Sequence, residues 1–453
     1  MKIAFIGAGS VCFCPATVVD ILQNESFSKL DNIEIYLMDI RKEPMELSKA
    51  FCEKIAARLN KKPIIKASTN LQEAVSGADF VITAIEVERY HYWSQDFHIP
   101  RRYGFRQVYG ENGGPGSMFH TLRNLPPLLK IAHTMEKECP NAWLLNYTNP
   151  EAKLVEGIHR LSKIKAVGLC HGEGMGHHQF AEFLQMPAEQ IGYKSVGLNH
   201  FGWFTKIWDK KTGEDLYPRL KANELKADPL AQWDELALSR MMLRTYGLWP
   251  YPGANHIGEY IAWSDTFLAS AMAQFVYDPV IDSPWKSIDT PPPPHVYSFS
   301  GNPTERPLFN ENKGDWRDSF NADGELWGSG EYGIPIAEAI FFNKPTEIGT
   351  VNLPNKGYAK DLPEGMVIEL PAFVDGKGIH PHETDPLPTA IAQMISLQGA
   401  IHKLVIDAYE EQSLNKLLQA VLLDPTVSTY HNAVAMINEM CNLQKDILPK
   451  LHW

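Results

Sequence analysis

Through the first 170 residues, short apolar runs alternate with stretches whose apolar positions recur at helical spacing. The runs at 3–6, 33–38, 63–66, 80–84, 142–146 and 166–169 are rich in β-branched or aliphatic residues and lack polar alternation. Parallel strands covered on both faces have that character. Residues 43–59 and 118–137 carry the helical period, and a shorter helix is predicted at 16–23. Strands alternating with helices predict an α/β chain with a doubly wound parallel sheet, which binds ligands at the carboxyl ends of its strands. Beyond His200 the pattern loosens. Residues 196–208 read as one strand and 209–213 as a turn, with helices at 233–246, 266–276, 331–342, 388–409 and 433–448. The proline run at 291–294 and the polar stretch 298–325 predict a long irregular segment, either a lid or an inter-subunit arm.

A length of 453 residues exceeds what one ordinary core supports. The expected division is a parallel-sheet half at 1–195 and a mixed α+β half at 196–453. Hydrophobic residues at 44% and charged residues at 21% are ordinary for a globular enzyme. The six cysteines have no disulfide-framework spacing, and no apolar run reaches the roughly twenty residues that span a bilayer. The first seven residues read as a strand entering a turn and not as a signal peptide, so the expectation is a cytoplasmic chain with no membrane partner. A net charge of -12 without a basic stripe argues against a nucleic-acid partner.

The first strand runs into Gly7-Ala8-Gly9-Ser10, ahead of a helix. Glycines there allow a tight turn and let backbone amides approach a pyrophosphate at a helix N-terminus. Cys12 stands where the third glycine of the fingerprint belongs. Asp39 ends the second strand, where a carboxylate accepts hydrogen bonds from a ribose diol and disfavours a 2′-phosphate, although Arg41 follows closely. Together these features predict an N-terminal Rossmann-like domain of the lactate/malate dehydrogenase kind, binding NAD through Gly7, Gly9, Ser10 and Asp39.

Three further segments fall where strand ends converge. Asn149 follows the fifth strand and precedes Pro150, which is placed to open a helix; it either projects into the cleft or caps that helix. The stretch from Tyr109 to Gly116 contains four glycines around Glu111 and reads as an irregular loop, against a ligand or free on the surface. Cys170 directly follows a buried strand, and Asn199-His200 lies in an apolar run. Each alone is a core cysteine or a satisfied histidine. As a pair they form a thiolate–imidazole metal site with open coordination positions, which suits catalysis. His177, His178, His380 and His382 read as solvated.

With these pieces in hand, the chain resembles glycoside hydrolase family 4, the NAD- and divalent-metal-dependent glycosidases, over essentially its whole length. The resemblance rests on Gly7-Ala8-Gly9-Ser10 with Phe13, Glu111 in its glycine loop and Asn146-Tyr147-Thr148-Asn149-Pro150. Cys170-His171, Asn199-His200, Glu259-Tyr260 and the stretches 351–355 and 367–371 complete it. It implies Mn²⁺ or another divalent metal held by Cys170 and His200, Tyr260 as catalytic base, and sugar contacts from Asn149, Glu111 and His171. The implied reaction is a redox-assisted elimination: C3 of the sugar gives hydride to NAD⁺, the C2 proton becomes acidic, the aglycone leaves, water adds and the hydride returns. The anomeric configuration is retained.

His171 occupies the position at which the family places an acid, and it is the candidate for assisting leaving-group departure, with helix capping or substrate hydrogen bonding as alternatives. Tyr260 alternatively packs beside Trp263. Members acting on 6-phosphorylated sugars carry Asp or Asn after the cysteine and a later arginine. Here His171 follows, and 281–288 offers only Lys286, so the substrate is expected to be an unphosphorylated α-glycoside. Cys170-His171-Gly172 resembles the α-glucuronidase branch, with α-galactosidase, α-glucosidase or α-galacturonidase as alternatives. Arg101, Arg102 and Lys286 are candidate cations for a uronate carboxylate, whereas Asn255, His256 and Glu259 could read neutral hydroxyls. The resemblance also suggests a homodimer or homotetramer. The rival readings are a 2-hydroxyacid dehydrogenase, for which no arginine–histidine pair stands out, and a non-catalytic NAD sensor, which has no use for Cys170 with His200.

Overall fold

All six strands expected in the first half form, and they lie side by side. They are β1 (Lys2–Ile6), β2 (Glu34–Met38), β3 (Ile64–Ser68), β4 (Phe80–Thr83), β5 (Trp143–Asn146) and β6 (Lys165–Gly168). All pair in parallel, in the order β3-β2-β1-β4-β5-β6. The order reverses between β1 and β4, which opens a crevice at their carboxyl ends. The structure, a computed structural model, describes residues 1–9, 13–30, 32–227, 236–267 and 326–453.

The sheet does not stop at β6. Asn352 of β10 (Thr346–Pro354) pairs with Gly168, and the order continues through β11 (Val367–Asp375), β7 (Ile191–Leu198), β8 (Phe201–Asp209) and β9 (Pro250–Tyr251). A final strand, β12 (Gly378–Pro381), pairs with β11. Pairing in this second part is antiparallel. The expected α/β class with a mixed second half is therefore present, on one continuous sheet.

The single strand expected at 196–208 is instead the β7–β8 hairpin. Leu198 pairs with Phe201, which leaves Asn199 and His200 as its turn. His200 has φ 63°, a left-handed conformation that few side chains adopt outside tight turns. No Gly or Pro marks this turn, so its apolar neighbours masked it. Gly202 follows because the Tyr251 ring packs there: a Cβ would lie 1.9 Å from its Cζ.

The expected helices form at Cys14–Gln23, Lys42–Arg58, Gly114–Glu138, Gly333–Phe342, Thr389–Glu410 and Tyr430–Leu443. Gly114 and Pro115, expected in an irregular loop, already open the third of these, so only the first part of that stretch is loop. The helix expected at 233–246 is seen as Ala237–Tyr246, and that at 266–276 lies outside the described residues beyond Phe267. The segments 291–294 and 298–325 also lie outside them. The helices of ten residues or more that were not expected are Arg89–Arg102, Gly172–Leu184, Tyr217–Lys226 and Leu414–Leu423. The second begins Gly-Glu-Gly-Met-Gly, a sequence of low helix propensity that packing overrides by burying Phe180 and Leu184. His177 on that helix is not solvated; it packs 4.6 Å from the Tyr193 ring, and burial drops its pKa to about 4. His178, His380 and His382 are exposed as expected. Among the described residues, no helix is long and apolar enough to cross a membrane.

A buried polar knot ties the loop-bearing helices to the C-terminal bundle. Arg123 donates to Asp96 at 2.7 Å and to Gln444 at 2.9 Å, and Gln444 donates back to Asp96 at 3.1 Å. Removing one member of a buried pair leaves the other charge uncompensated. Arg123→Ala is therefore expected to lower the unfolding free energy by about 3–5 kcal/mol in urea denaturation. A loss below about 1 kcal/mol, the scale of an exposed pair, would show that the knot is not structural.

Candidate functional site

At the β1–β4 crevice, the turn after β1 is held closed by its own backbone. The amides of Gly7 and Ala8 both donate to the Met38 carbonyl at 2.9 Å. Gly7 has φ 92°, and a Cβ there would sit 2.1 Å from the Ala84 carbonyl oxygen, so no larger residue fits. Asp39 is buried; its Oδ2 accepts from the Gly9 amide at 2.8 Å and its Oδ1 from the Arg41 amide at 2.9 Å. Asp39 thus shapes the glycine turn, and each oxygen keeps a lone pair for a further donor. Ser10 and Cys12 lie outside the described residues.

The end of β5 leads to Asn149, half-buried, and to a cis peptide before Pro150. The residue capping the helix Glu151–Leu161 is Pro150, so Asn149 is not its cap. Its carbonyl accepts from Asn124 at 3.1 Å. The next amide, of Glu151, donates to Asn112 Oδ1 at 3.3 Å, which joins this strand end to the glycine loop.

Glu259 organises that loop. Its Oε2 accepts from three consecutive amides, those of Glu111 at 2.7 Å, Asn112 at 2.6 Å and Gly113 at 3.0 Å. Gly113 is needed for the approach, since a Cβ would lie 2.5 Å from the Glu259 carbonyl oxygen. Burial and the neighbouring Glu111 carboxylate push the Glu259 carboxyl well above the usual range, while the three amides pull it down. Lys153, itself buried, donates to the Asn112 carbonyl, and burial lowers its pKa to about 8.

The hairpin turn brings His200 against this loop. Asn112 Nδ2 lies 3.0 Å from His200 Nδ1, and the His256 ring is 4.2 Å away, centre to centre. Burial, with His256 and His171 nearby, holds the His200 pKa well below 6.5, so the ring is neutral and has a lone pair to give. Ligand atoms of Glu111, His200, His256 and Glu259 all lie within 4.8 Å of one another. Tyr260, buried, stacks on Phe201 at 5.0 Å and donates its hydroxyl to the Asn199 carbonyl at 3.1 Å. Trp263 packs with Phe267 instead. Burial and the charges of Glu259, Glu111, Glu151 and Glu369 push the Tyr260 phenol well above 10.

Cys170 stands at the end of β6, half-buried, and its Sγ accepts from the Gly172 amide at 3.3 Å. Burial and the Glu331 and Glu369 carboxylates push the thiol well above 9, with the Asn199 amide pulling the other way. The side chain of His171 is half exposed, and its Nδ1 meets buried Glu331 at 2.5 Å. That contact raises the histidine above its ordinary pKa. Gly172 has a packing reason as well, since a Cβ would lie 2.8 Å from Pro252. The fold thus gathers Glu111 and His200 about Glu259, ties Tyr260 to the 199–200 turn, and couples Cys170 to that turn through Asn199. Gly7, Gly9 and Asp39 occupy the neighbouring crevice.

Arg101 and Arg102 do not join the site. Arg101 donates to the Gln107 carbonyl at 2.7 Å and Arg102 pairs with Glu439, because the helix Arg89–Arg102 points its end toward the C-terminal bundle. Lys286 lies outside the described residues. Sequence reasoning missed Asn112 and Glu331 and offered His256 and Glu259 only as alternative contacts for neutral sugar hydroxyls. Asn112 sat inside a quoted loop, whereas Glu331 carries no local signal because its partner is 160 positions away.

A sequence model of the family 4 glycosyl hydrolases matches residues 2–186, and one of the family 4 C-terminal domain matches 195–427. The chain belongs to glycosyl hydrolase family 4. It is 30% identical to an α-glucosidase of Erwinia rhapontici, over 98% of both chains. It is likewise 30% identical to an α-galactosidase of Bacillus subtilis strain 168, over 99% of both. Its fold matches a crystal structure of a 6-phospho-α-glucosidase from gut microorganisms in complex with NAD and Mn²⁺, with a TM-score of 0.79 and 23% identity, covering 100% of this chain and 99% of that one.

Glu331→Gln removes the anion that raises His171. The His171 pKa is expected to fall toward the ordinary 6.5, followed by NMR titration of the ring protons. An unchanged titration midpoint would mean that Glu331 does not set the charge of His171.

Proposed function

We propose that this chain is an NAD- and Mn²⁺-dependent retaining α-glycosidase acting on an unphosphorylated α-glycoside. The observation that carries the reading is the Tyr260 hydroxyl on the Asn199 carbonyl, one residue from His200 and beside the Cys170-His171 strand end. It ties the phenol to the turn that carries a candidate metal ligand. The glycine turn fits a dinucleotide: Gly7 leaves no room for a side chain, and Asp39 stands buried at the end of β2 with lone pairs to spare. A divalent cation fits too. His200 is neutral, and Cys170 is a thiol that only a strong positive charge would ionise.

Once bound, NAD⁺ supplies a reversible hydride acceptor for C3, and the cation supplies Lewis acidity at O2 and O3. Cys170 and His200 hold the cation in this reading. Tyr260 Oη takes the C2 proton, which its high pKa permits only with positive charge nearby. His171, with Nδ1 fixed on Glu331, keeps Nε2 to give a proton to the departing oxygen. Asn149 and Glu111 hold sugar hydroxyls. Residues 1–195 carry the dinucleotide, and 196–453 complete the pocket and form the contacts of a homodimer or homotetramer. A cytoplasmic location accords with the lack of a disulfide among the five described cysteines.

For the sugar, Gly172 after Cys170-His171 keeps α-glucuronide as the first candidate. The commitment of Arg101 and Arg102 elsewhere favours a neutral α-glucoside or α-galactoside as the second. A panel of p-nitrophenyl α-glycosides including glucuronide, galacturonide, glucoside and galactoside, with NAD⁺, Mn²⁺ and a reductant, separates these. Run in D₂O on the preferred substrate, the reaction is expected to place deuterium at C2 of the released sugar. Unlabelled product rules out elimination, and stoichiometric NADH would identify a dehydrogenase instead.

A further inference from the structure

The segment Gly328–Tyr332 bonds to two helices at once: Cys14–Gln23, which follows the dinucleotide turn, and Gly172–Leu184, which follows Cys170-His171. Asp20, on the first of these, takes both donors of Ser329 on Oδ2, the amide at 3.0 Å and the hydroxyl at 2.5 Å. The same hydroxyl oxygen accepts from the Glu331 amide at 3.1 Å. Glu331 then meets His171 Nδ1 at 2.5 Å, and the Tyr332 hydroxyl donates to Glu173 at 2.8 Å. Two consecutive residues of the segment therefore grip the start of the second helix. The glycines on either side of Ser329 permit this course. A Cβ at 328 would lie 1.8 Å from Asp20 Oδ1, and Gly330 takes φ 75°. The second oxygen of Glu331, Oε2, is buried without a hydrogen-bond partner. The carboxylate is thus aimed by its backbone, and Ser329 fixes that backbone.

Resting on the glycosidase reading, in which His171 gives a proton to the departing oxygen, we propose that Ser329 is a positioning residue for that step. Anchored on Asp20, its hydroxyl holds Glu331, and through Glu331 it holds the His171 ring. The ring needs such a hold, because the His171 side chain is half exposed whereas Glu331 is buried. A carboxylate fixed on Nδ1 leaves Nε2 facing one direction. Without the Ser329 hydroxyl, the Glu331 amide loses its acceptor and Asp20 keeps only one of its two donors from residue 329. Ser329 and Asp20 touch neither sugar nor cofactor in this reading; they act through Glu331. Their effect therefore scales with how much the aglycone needs the proton. An alkoxide needs it to leave, and a p-nitrophenolate leaves largely without it.

Two measurements on the full chain test this. In protein labelled with ¹⁵N at histidine, the His171 ring N–H on Glu331 is assigned by its loss in His171→Gln. Its exchange with solvent is expected to quicken about tenfold or more in Ser329→Ala and to return to the wild-type rate in Ser329→Thr, which keeps the hydroxyl. In kinetics with NAD⁺ and Mn²⁺, the readout is the ratio of kcat on a methyl α-glycoside to kcat on the p-nitrophenyl α-glycoside of the same sugar. That ratio is expected to fall about tenfold or more in Ser329→Ala and to recover in Ser329→Thr. If Ser329→Ala fails to fold, Asp20→Ala, which removes the anchor and keeps the hydroxyl, is expected to give the same two losses. Exchange within twofold of wild type in Ser329→Ala overturns the proposal, as does an equal fall in kcat on both substrates, the mark of a merely structural role. A chain inactive on every glycoside, whose Ser329→Ala variant loses the His171 protection, upholds the positioning contact and refutes the glycosidase reading separately.

Discussion

Three consecutive amides converge on one oxygen of Glu259, and the geometry of the pocket depends on that convergence. Glu111, Asn112 and Gly113 come from the loop between two helices, while Glu259 comes from a turn nearly 150 positions later. A hydrogen bond of this kind contributes about 0.5–1.5 kcal/mol net, and the three share one atom. The loop then has a fixed course, and Asn112 is aimed. Its side chain touches His200 at one end and the Glu151 amide at the other. Lys153 grips the Asn112 carbonyl from behind. A single carboxylate therefore registers the glycine loop, the hairpin turn and the start of the helix after Pro150.

Around this anchor the protein keeps an unusual number of buried acids. Glu111, Glu151, Glu173, Glu259, Glu331 and Glu369 are all buried. Glu369 accepts on one oxygen, Oε2, from Asn199 at 3.1 Å and from Asn352 at 2.9 Å. Glu151 has neither oxygen bonded and fills the space that Gly168 leaves, its Oε1 lying 1.1 Å from where a Cβ would be. Burial raises it well above the ordinary range, as it raises Glu173 to about 7. Glu259 and Glu369 are raised by burial as well, although amides and side-chain amides donate to them.

Much of this was legible in the sequence where local pattern and tertiary structure agree. The six parallel strands appeared as apolar runs because both of their faces are covered, and Gly7, Gly9 and Asp39 appeared because their turn is local. Cys170 with His200 was read from its place after a buried strand, whereas His171 and Tyr260 entered through resemblance. What stayed hidden depends on contacts far apart in the chain. The 199–200 turn lacks Gly and Pro, since a left-handed histidine replaces them, and so one strand was read where two exist. Arg101 and Arg102 looked like anion ligands by composition, but their helix carries them to Gln107 and Glu439. Glu331 and Asn112 have meaning only through partners that folding supplies.

The central claim is that Cys170 and the His200 turn hold one cation beside the base Tyr260. Anomalous diffraction at the manganese edge, from crystals of the full chain grown with NAD⁺ and Mn²⁺, tests it directly. The account predicts a single peak within bonding reach of Cys170 Sγ and a His200 ring nitrogen. No peak, or a peak out of bonding reach of both residues, would contradict it.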